Sequence, residues 1–351
     1  MLLKASIGEA PVALDAFDKW IGSVDYVRHL DGGSFRLLPL LHAHQKRLGN
    51  THAALDKLAG VYRRSWCEVQ LQLKCGERIV GLLQDQGIAV LVSKGLALSA
   101  CYYDSPAMRP MSDLDLVVPR AQARHALDIL AAAGWCETPE HLARWSGRRG
   151  DMLALTNGVA LVDAGGREID LHWRMMQECN SARIEGGFWR NALPMALGDR
   201  TVLRPDASTL LFHTIVHGVR PNALPPIRWI ADAAMILRRD GERIDWQAML
   251  GLGRKALALH RLGVGLEYLR TMIGLPVPEE IVAIATARPG LIERREARGF
   301  RAELGGASAA ALARIGFPVN VARLAMGDAR GQLPRLAMRW LGQRARRWHR
   351  A

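Results

Sequence analysis

Paired cysteines and long apolar runs are both missing from this sequence of 351 residues. The five cysteines are scattered and form no Cys-x-x-Cys pair, which argues against a disulfide framework and against a thiolate zinc site. No stretch approaches the roughly 18 consecutive apolar residues of a transmembrane helix, and Met1 to Leu14 lack the basic start and apolar run of a signal peptide. These absences predict a soluble chain in a reducing cytoplasm.

Acidic residues are scarce relative to basic ones. The chain has 34 Asp and Glu against 47 Lys and Arg, which gives a formal net charge of +13. This balance favours attraction to polyanions such as nucleic acid, anionic lipid or the phosphates of a nucleotide. Most of the basic residues are arginine, which partly reflects compositional bias, so the charge alone is weak support for nucleic-acid binding. The length allows two or three structural units with a substantial core.

The most informative stretch, residues 89–119, carries Asp113 and Asp115 on a predicted strand. Side chains on a strand alternate between faces, so both carboxylates share one face. Like charges held together are unfavourable unless a cation neutralises them, and Mg²⁺ takes oxygen ligands of this kind. The spacing therefore indicates metal-dependent phosphate chemistry, with a solubilising edge strand as the alternative. Repulsion between the acids also predicts that neutralising either one changes stability little in the absence of metal.

A further acid is expected on a strand that lies later in the chain. Glu168, Asp170 and His172 alternate with aliphatic residues and so share one face. An acid on that face can meet Asp113 and Asp115 if the two strands are neighbours. We interpret His172 as an ordinary strand residue.

At these positions the sequence resembles the nucleotidyltransferase superfamily. The superfamily pattern is a Gly-containing turn from strand to helix, then Asp-hydrophobic-Asp on the next strand, and a third acid later. More closely, the sequence resembles a large bacterial family of poorly characterised nucleotidyltransferases with helical flanks, from about Leu37 to about Leu250. Three stretches carry the match: Lys94-Gly95, Arg109 to Leu116, and Glu168 to Trp173.

The resemblance implies an α/β fold with a mixed sheet, of the α+β kind, at the core. It also implies transfer of a nucleoside monophosphate from a nucleoside triphosphate to an acceptor, with Mg²⁺ or Mn²⁺ as the cofactor and pyrophosphate as the product. The implied catalytic residues and metal ligands are Asp113, Asp115 and Asp170. The implied phosphate-binding residues are Lys94, Gly95, Arg109 and Ser112.

The turn departs from the superfamily pattern, because Gly95-Leu96 replaces the usual Gly-Ser or Gly-Gly. The hydroxyl that would hold the triphosphate is missing, so Lys94, Ser93 or Arg109 is expected to take that role. Salt bridges from Lys94 and Arg109 to acids are the alternative.

The remaining pattern predicts a helical N-terminal region at 1–79, a nucleotidyltransferase core at 80–204 and a helical C-terminal domain at 205–351. Inside the core, Arg120 to Ala133 is predicted to form a helix that stops at Gly134. Asn157-Gly158 predicts a two-residue hairpin between strands at 152–156 and 159–162. Residues 285–306 are expected to form a loose connection.

Two features of the C-terminal half have no assigned role. His213 and His217 are one helical turn apart, a spacing compatible with zinc, but no further ligand follows, so we expect no dedicated metal there. The segment Arg228 to Asp232 resembles the same family, and either a cleft wall or a buried polar network between the two halves would suit it.

The last twenty residues predict a basic amphipathic helix, with Leu336 and Trp340 among arginines. It could contact RNA, membrane phosphates or an acidic partner, or dock on the protein through its apolar stripe. The acceptor cannot be read from the sequence, and a small molecule, peptide or protein is favoured over RNA. Two alternatives stay open: a catalytically decayed nucleotide-binding protein, which Leu96 suggests, and a basic RNA-binding or membrane-binding adaptor on the same fold.

Overall fold

The structure is a computed structural model, and it describes residues 1–26, 28–145, 147, 149–179, 181–220, 227–326, 331 and 333–334. Of the predicted basic helix, Leu336, Trp340 and the arginines from Arg335 to Arg350 lie outside these residues.

Seven strands form one mixed sheet in this part of the chain, in the order β3-β4-β5-β2-β1-β7-β6. The strands are β1 (Leu91–Val92), β2 (Asp113–Val117), β3 (Cys136–Glu137), β4 (Gly158–Val162), β5 (Glu168–His172), β6 (Leu193–Leu197) and β7 (Arg200–Arg204). β2 runs parallel to β5, and β1 runs antiparallel to β2 but parallel to β7. The predicted α/β class with a mixed sheet is confirmed.

Helices precede, cover and follow this sheet. Those before it are α1 (Leu2–Ile7), α2 (Ala10–Ser23), α3 (Gly32–Phe35), α4 (Leu38–Arg47) and α5 (Ala54–Gln84). Those between strands are α6 (Lys94–Tyr102), α7 (Ala123–Ala132), α8 (Pro139–Trp145), α9 (Arg149–Leu155) and α10 (Ala182–Arg190). Those after it are α11 (Ala207–Gly218), α12 (Arg228–Asp240), α13 (Trp246–Lys255), α14 (Leu259–Tyr268), α15 (Glu279–Thr286), α16 (Leu291–Leu304) and α17 (Ala309–Met326). Among the described residues, no helix combines the length and apolar character needed to cross a membrane.

The long helix α5 covers the aliphatic face of the central strand β2. Gly76 in α5 approaches so closely that a Cβ there would lie 3.3 Å from Leu114 Cδ1. Leu114 and Leu116 are fully buried against this helix side of the sheet, and each such burial stabilises the fold by about 2 kcal/mol. Because side chains alternate, Asp113 and Asp115 must emerge on the opposite face.

The hairpin predicted at Asn157-Gly158 is wrong, because residues 152–155 end helix α9 instead of forming a strand. The carbonyls at this helix end are capped by distant donors: Arg174 Nη2 donates to Ala154 and the Trp173 indole donates to Thr156, both at 2.9 Å. Such partners satisfy carbonyls that a helix end leaves free, and local sequence does not reveal them. The chain reverses later, where Gly166 has a φ of +75° between β4 and β5.

Of two other predicted elements, one is confirmed and one is wrong. The helix predicted before Gly134 is confirmed as α7, and Gly134 has the left-handed φ of +88° expected at such a stop. The loose connection predicted at 285–306 is wrong, since α16 occupies most of it and Glu293 caps the backbone N–H of Gly290 at 3.0 Å. The β6–β7 hairpin at the sheet edge was not predicted. The domain boundaries at 79/80 and 204/205 stay predictions, and the first of them falls inside α5.

Candidate active site

The two central strands place acidic side chains side by side. β2 and β5 are parallel neighbours, and their register pairs Asp115 with Asp170 and Asp113 with Glu168. One ligand atom from each of Asp115, Asp170 and His172 lies within 4.8 Å of the others. The structure therefore brings the predicted third acid against the Asp-x-Asp pair.

Asp115 is buried and already has cationic and polar partners. The Lys94 ammonium forms an ion pair with Oδ1 of Asp115, and Nε2 of His172 lies 3.1 Å from the same oxygen. Burial alone would raise the pKa of Asp115, but Lys94 and His172 outweigh it and hold that pKa well below its usual range. Sequence reasoning missed the contact of His172, although its place two residues after Asp170 put it on the same face.

Asp170 has the opposite electrostatic environment. Its pKa is raised mainly by burial, and the negative charges of Asp115 and Asp113 add to that effect against the opposing influence of His172. A group of carboxylate oxygens with excess negative charge is the donor set that Mg²⁺ and Mn²⁺ prefer. The residues present therefore fit a divalent cation held by Asp115 and Asp170. Asp113, on the same face, accepts a hydrogen bond from Ser112 Oγ at 3.1 Å.

The turn that leads into α6 holds Lys94 in an uncommon backbone conformation. Lys94 has a φ of +40°, a region that costs a side-chain-bearing residue about 1 kcal/mol or more and that often occurs at functional sites. The preceding residue, Ser93, is buried, and its Oγ lies 3.3 Å from Nδ1 of His213. Ser93 is thus engaged in the interior, whereas Lys94 faces the acids.

Arg109 joins the core to the C-terminal helices. Its Nε and Nη2 donate to the two carboxylate oxygens of Asp232 at 2.8 and 2.9 Å, and Tyr103 donates to the same carboxylate at 2.7 Å. The remaining nitrogen, Nη1, is buried and has no hydrogen-bond partner among the described residues. It lies 3.0 Å from the position that a Cβ on Gly95 would occupy. Arg109 therefore forms the salt bridge foreseen as the alternative, and both N–H groups of Nη1 are left without a partner among the described residues.

A cavity of about 490 Å³ opens at Asp113 and Asp115, a volume within the usual range for small-molecule sites. The predicted residues that line it are Lys94, Gly95, Arg109, Ser112, Asp113 and Asp115. Other walls come from Gly32 and Arg36 near α3 and from Arg228 and Trp229 in α12. The Arg228–Asp232 segment accordingly serves both roles considered for it, a cleft wall and a buried polar network.

His213 and His217 form a neutral part of this wall. Burial lowers the pKa of His213 to about 3, and burial together with Arg220 lowers that of His217 further. Their rings pack edge to face at 5.7 Å, and Arg220 Nη2 lies 2.6 Å from Nδ1 of His217. Both imidazoles are therefore uncharged near neutral pH.

Comparison with known protein families gives a match over the central part of the chain. A model of a family described as uncharacterised nucleotidyltransferases matches residues 34–274, more than half of the chain. The matched region contains the three acids Asp113, Asp115 and Asp170. It also contains Lys94, Arg109 and the α12 segment with Asp232. No curated protein matches the chain.

Proposed function

The chain belongs to the uncharacterised nucleotidyltransferase family, and on that premise we propose that it transfers a nucleoside monophosphate from a nucleoside triphosphate to an acceptor hydroxyl. The reaction requires Mg²⁺ or Mn²⁺ and releases pyrophosphate. The observation that carries this proposal is the pairing of Asp115 with Asp170 on adjacent parallel strands, with Asp113 two residues away. Asp113, Asp115 and Asp170 would hold the cation.

The phosphates are assigned to the side of the cavity near the start of α6. Gly95 lets the backbone pass close to Arg109 and Met111, since a Cβ there would lie 3.0 Å from Arg109 Nη1. That Nη1 is buried without a partner among the described residues, and the N-terminal end of a helix favours negative charge. Lys94 and Ser112 line the same cavity and can donate to phosphate oxygens. The ammonium of Lys94 neutralises Asp115 in the absence of ligands and could also contact the triphosphate once a bound cation shares that neutralisation.

In the transfer step, the acceptor oxygen forms a bond to the α-phosphorus. The bond from that phosphorus to the oxygen bridging the β-phosphate breaks in line, and pyrophosphate leaves with the electron pair toward Lys94 and Arg109. The acceptor proton passes to Asp170, the carboxylate that lies beside Asp115 on the neighbouring strand. When bound, the divalent cation supplies Lewis-acid stabilisation of charge on the phosphoryl oxygens.

The test is metal-dependent release of pyrophosphate, together with labelling from α-phosphate-labelled ATP, in the wild type and in acid-to-amide variants. Asp113→Asn, Asp115→Asn and Asp170→Asn are each expected to lower turnover by about 100-fold or more, because each removes a ligand or a base. Asp104→Asn is the matched control, since Asp104 is 74% exposed and lies 3.8 Å from its nearest cation, Arg47. Turnover at the wild-type level in the three site variants, with their fold intact by circular dichroism, would exclude this proposal.

A nucleotide-binding protein without turnover is the second candidate, and two observations favour it. Leu96, buried in α6, stands where a hydroxyl is usual, and Lys94 already occupies Oδ1 of Asp115. Saturable binding of ATP with no pyrophosphate release at any Mg²⁺ or Mn²⁺ concentration would select this candidate. The acceptor of the active enzyme is proposed to be a small molecule or a peptide or protein side chain, in preference to RNA.

A further inference from the structure

Asn157 and Gly158 form no hairpin, yet they lie directly beside the candidate active site. Asn157 Nδ2 is 3.2 Å from Nδ1 of His172, and the opposite ring nitrogen, Nε2, is 3.1 Å from Oδ1 of Asp115. An amide NH₂ group can only donate, so Nδ1 of His172 accepts and the ring proton resides on Nε2. In this tautomer His172 donates a hydrogen bond to Asp115.

The main chain around Asn157 is fixed by its neighbours. The carbonyl of Asn157 accepts from the backbone N–H groups of Trp173 and Arg174 at 2.9 and 3.2 Å. The preceding carbonyl, that of Thr156, accepts from the Trp173 indole at 2.9 Å and from Arg174 Nη1 at 3.1 Å. Four hydrogen bonds therefore hold two consecutive carbonyls and set the point from which the Asn157 side chain reaches His172.

Gly158 provides the space that His172 occupies. A Cβ at position 158 would lie 2.5 Å from Nδ1 of His172 and 2.7 Å from the carbonyl oxygen of Leu171. Both distances are shorter than a carbon atom tolerates, and one of the two neighbours is backbone that cannot rotate away. Glycine at 158 is thus required for the imidazole to lie between Asn157 and Asp115.

The two donors to Asp115 use the same oxygen. Lys94 Nζ and His172 Nε2 both contact Oδ1, whereas Oδ2 has no donor among the described residues. A carboxylate held at one oxygen by hydrogen bonds has a fixed orientation, which leaves its other oxygen for a cation, and a ligand atom of Asp170 lies within 4.8 Å of one from Asp115.

We propose that Asn157, Gly158 and His172 are positioning residues that orient the Asp115 carboxylate for a divalent cation, with His172 acting as a hydrogen-bond donor and not as a ligand. This inference rests on the proposed function, because it takes Asp115 as a ligand of the cation. A ring nitrogen that carries a proton has no lone pair for a metal. Partners that hold metal ligands in place commonly contribute about 10-fold to 100-fold in metal affinity.

The first measurement concerns the tautomer and needs neither nucleotide nor metal. In protein labelled with ¹⁵N-histidine, a long-range ¹H–¹⁵N correlation spectrum distinguishes the two neutral forms, and the signals of His172 are assigned by their loss in His172→Gln. We expect the proton on Nε2. A proton on Nδ1 alone would contradict the proposal, because Nε2 could then ligate a cation.

The second measurement is Mn²⁺ binding, followed by the electron paramagnetic resonance signal of the free ion. We expect His172→Leu and Asn157→Leu to weaken binding by roughly 10-fold or more, and His172→Gln, whose amide can still donate to Asp115, to stay within about threefold of the wild type. Equal losses in His172→Gln and His172→Leu would identify a ligand and overturn the proposal. Unchanged binding in His172→Leu would overturn it as well.

Gly158→Ala provides an independent check, with Gly60→Ala in α5 as the matched control, because a Cβ at Gly60 would meet no atom within 4 Å. Gly158→Ala is expected to match His172→Leu in Mn²⁺ affinity; if it does not fold, the three variants at His172 and Asn157 still decide. Wild-type protein that binds no Mn²⁺ would remove the proposed cation site and this inference together. Wild-type binding that His172→Leu leaves intact would remove only the inference.

Discussion

At the scale of single residues, Asp115 and Asp170 are paired in register and have the same side chain, yet their pKa values shift in opposite directions. Asp115 is buried next to Lys94 and His172, so its ionised form is stabilised. Asp170 is half-buried beside two other carboxylates, so its ionised form is disfavoured. Their substitution by asparagine should therefore change stability in opposite directions when no metal is present.

Asp170→Asn is expected to raise the melting temperature at pH 7 in the presence of a chelator. A carboxyl group whose folded pKa is raised favours the native state below its ordinary pKa of about 3.9, and this contribution is lost as the pH rises through the folded pKa. Asparagine cannot ionise and avoids the loss. Differential scanning fluorimetry at pH 7 and near pH 4 checks this: the gain should shrink at the lower pH. A gain of equal size at both pH values would contradict the electrostatic explanation.

Asp115→Asn is expected to destabilise the fold, by about 2 kcal/mol. From the spacing of Asp113 and Asp115 alone, little change in stability was predicted. The structure alters that expectation, because Lys94 would lose its partner while its side chain is only 23% exposed. The cost is smaller than for a fully buried pair, since the ammonium can still reach water. Urea unfolding measures it, with Asp104→Asn as the exposed control. A variant as stable as the wild type would show that the ion pair is energetically neutral.

At the scale of elements, the predictions succeeded where the pattern is local. The alternation in β2 and β5 and the helix that stops at Gly134 follow from side-chain period and from one residue's backbone preference. The hairpin at Asn157-Gly158 failed because distant Trp173 and Arg174 cap the helix before it. Arg109 meets Asp232 across 123 residues of sequence, so no spacing rule could reveal that Arg109 has a partner.

The C-terminal helices are joined by a buried group of charges. Arg261 in α14 donates to Glu178 at 2.8 Å and to Glu296 in α16 at 3.3 Å, and Arg323 in α17 pairs with Glu296 at 2.8 Å. Burial opposes ionisation of Glu178, but Arg261 and Arg323 outweigh it and lower its pKa to about 2. The contribution of this glutamate is therefore present above its ordinary pKa of about 4.3 and is lost as the pH falls toward the folded value.

Arg261→Met is expected to lower the free energy of unfolding by about 3 kcal/mol, because it leaves Glu178 buried without its nearest cation. It should also flatten the loss of stability between about pH 4 and pH 2. Arg243→Met is the matched control, since the side chain of Arg243 is 81% exposed in its pair with Asp240, and a loss under about 0.5 kcal/mol is expected there. Equal losses in the two variants would contradict a special role for the buried group.

At the scale of the whole molecule, the cavity lies where the region around α3, the sheet region and helices α11 and α12 meet. Arg36 lies directly after α3. Lys94, Asp113 and Asp115 belong to the sheet region, and Trp229 lies in α12. Arg228 donates to the carbonyl of Pro110 at 2.6 Å, which ties α12 to the loop before β2. The walls of the cavity are thus set by tertiary contacts, whereas the acids at its base were readable from the sequence.

The net charge of +13 raises the question of whether the acceptor is RNA. We expect removal of residues 332–351 to leave labelling of small or peptide acceptors unchanged, because the residues proposed to bind the cation and the phosphates all lie between Lys94 and Asp170. If RNA binds through that segment, the logarithm of its affinity should fall as the logarithm of the salt concentration rises. The expected slope is about 0.7 for each phosphate contacted.

The measurement compares the full-length protein with the shortened protein, once circular dichroism shows that the shortened chain is folded. Both are tested for acceptor labelling and for binding of a single-stranded RNA oligonucleotide at several salt concentrations. A steep slope that disappears with the segment, together with labelled RNA, would replace the small acceptor with RNA, because the lost slope assigns the phosphate contacts to residues 332–351 and the label identifies the acceptor.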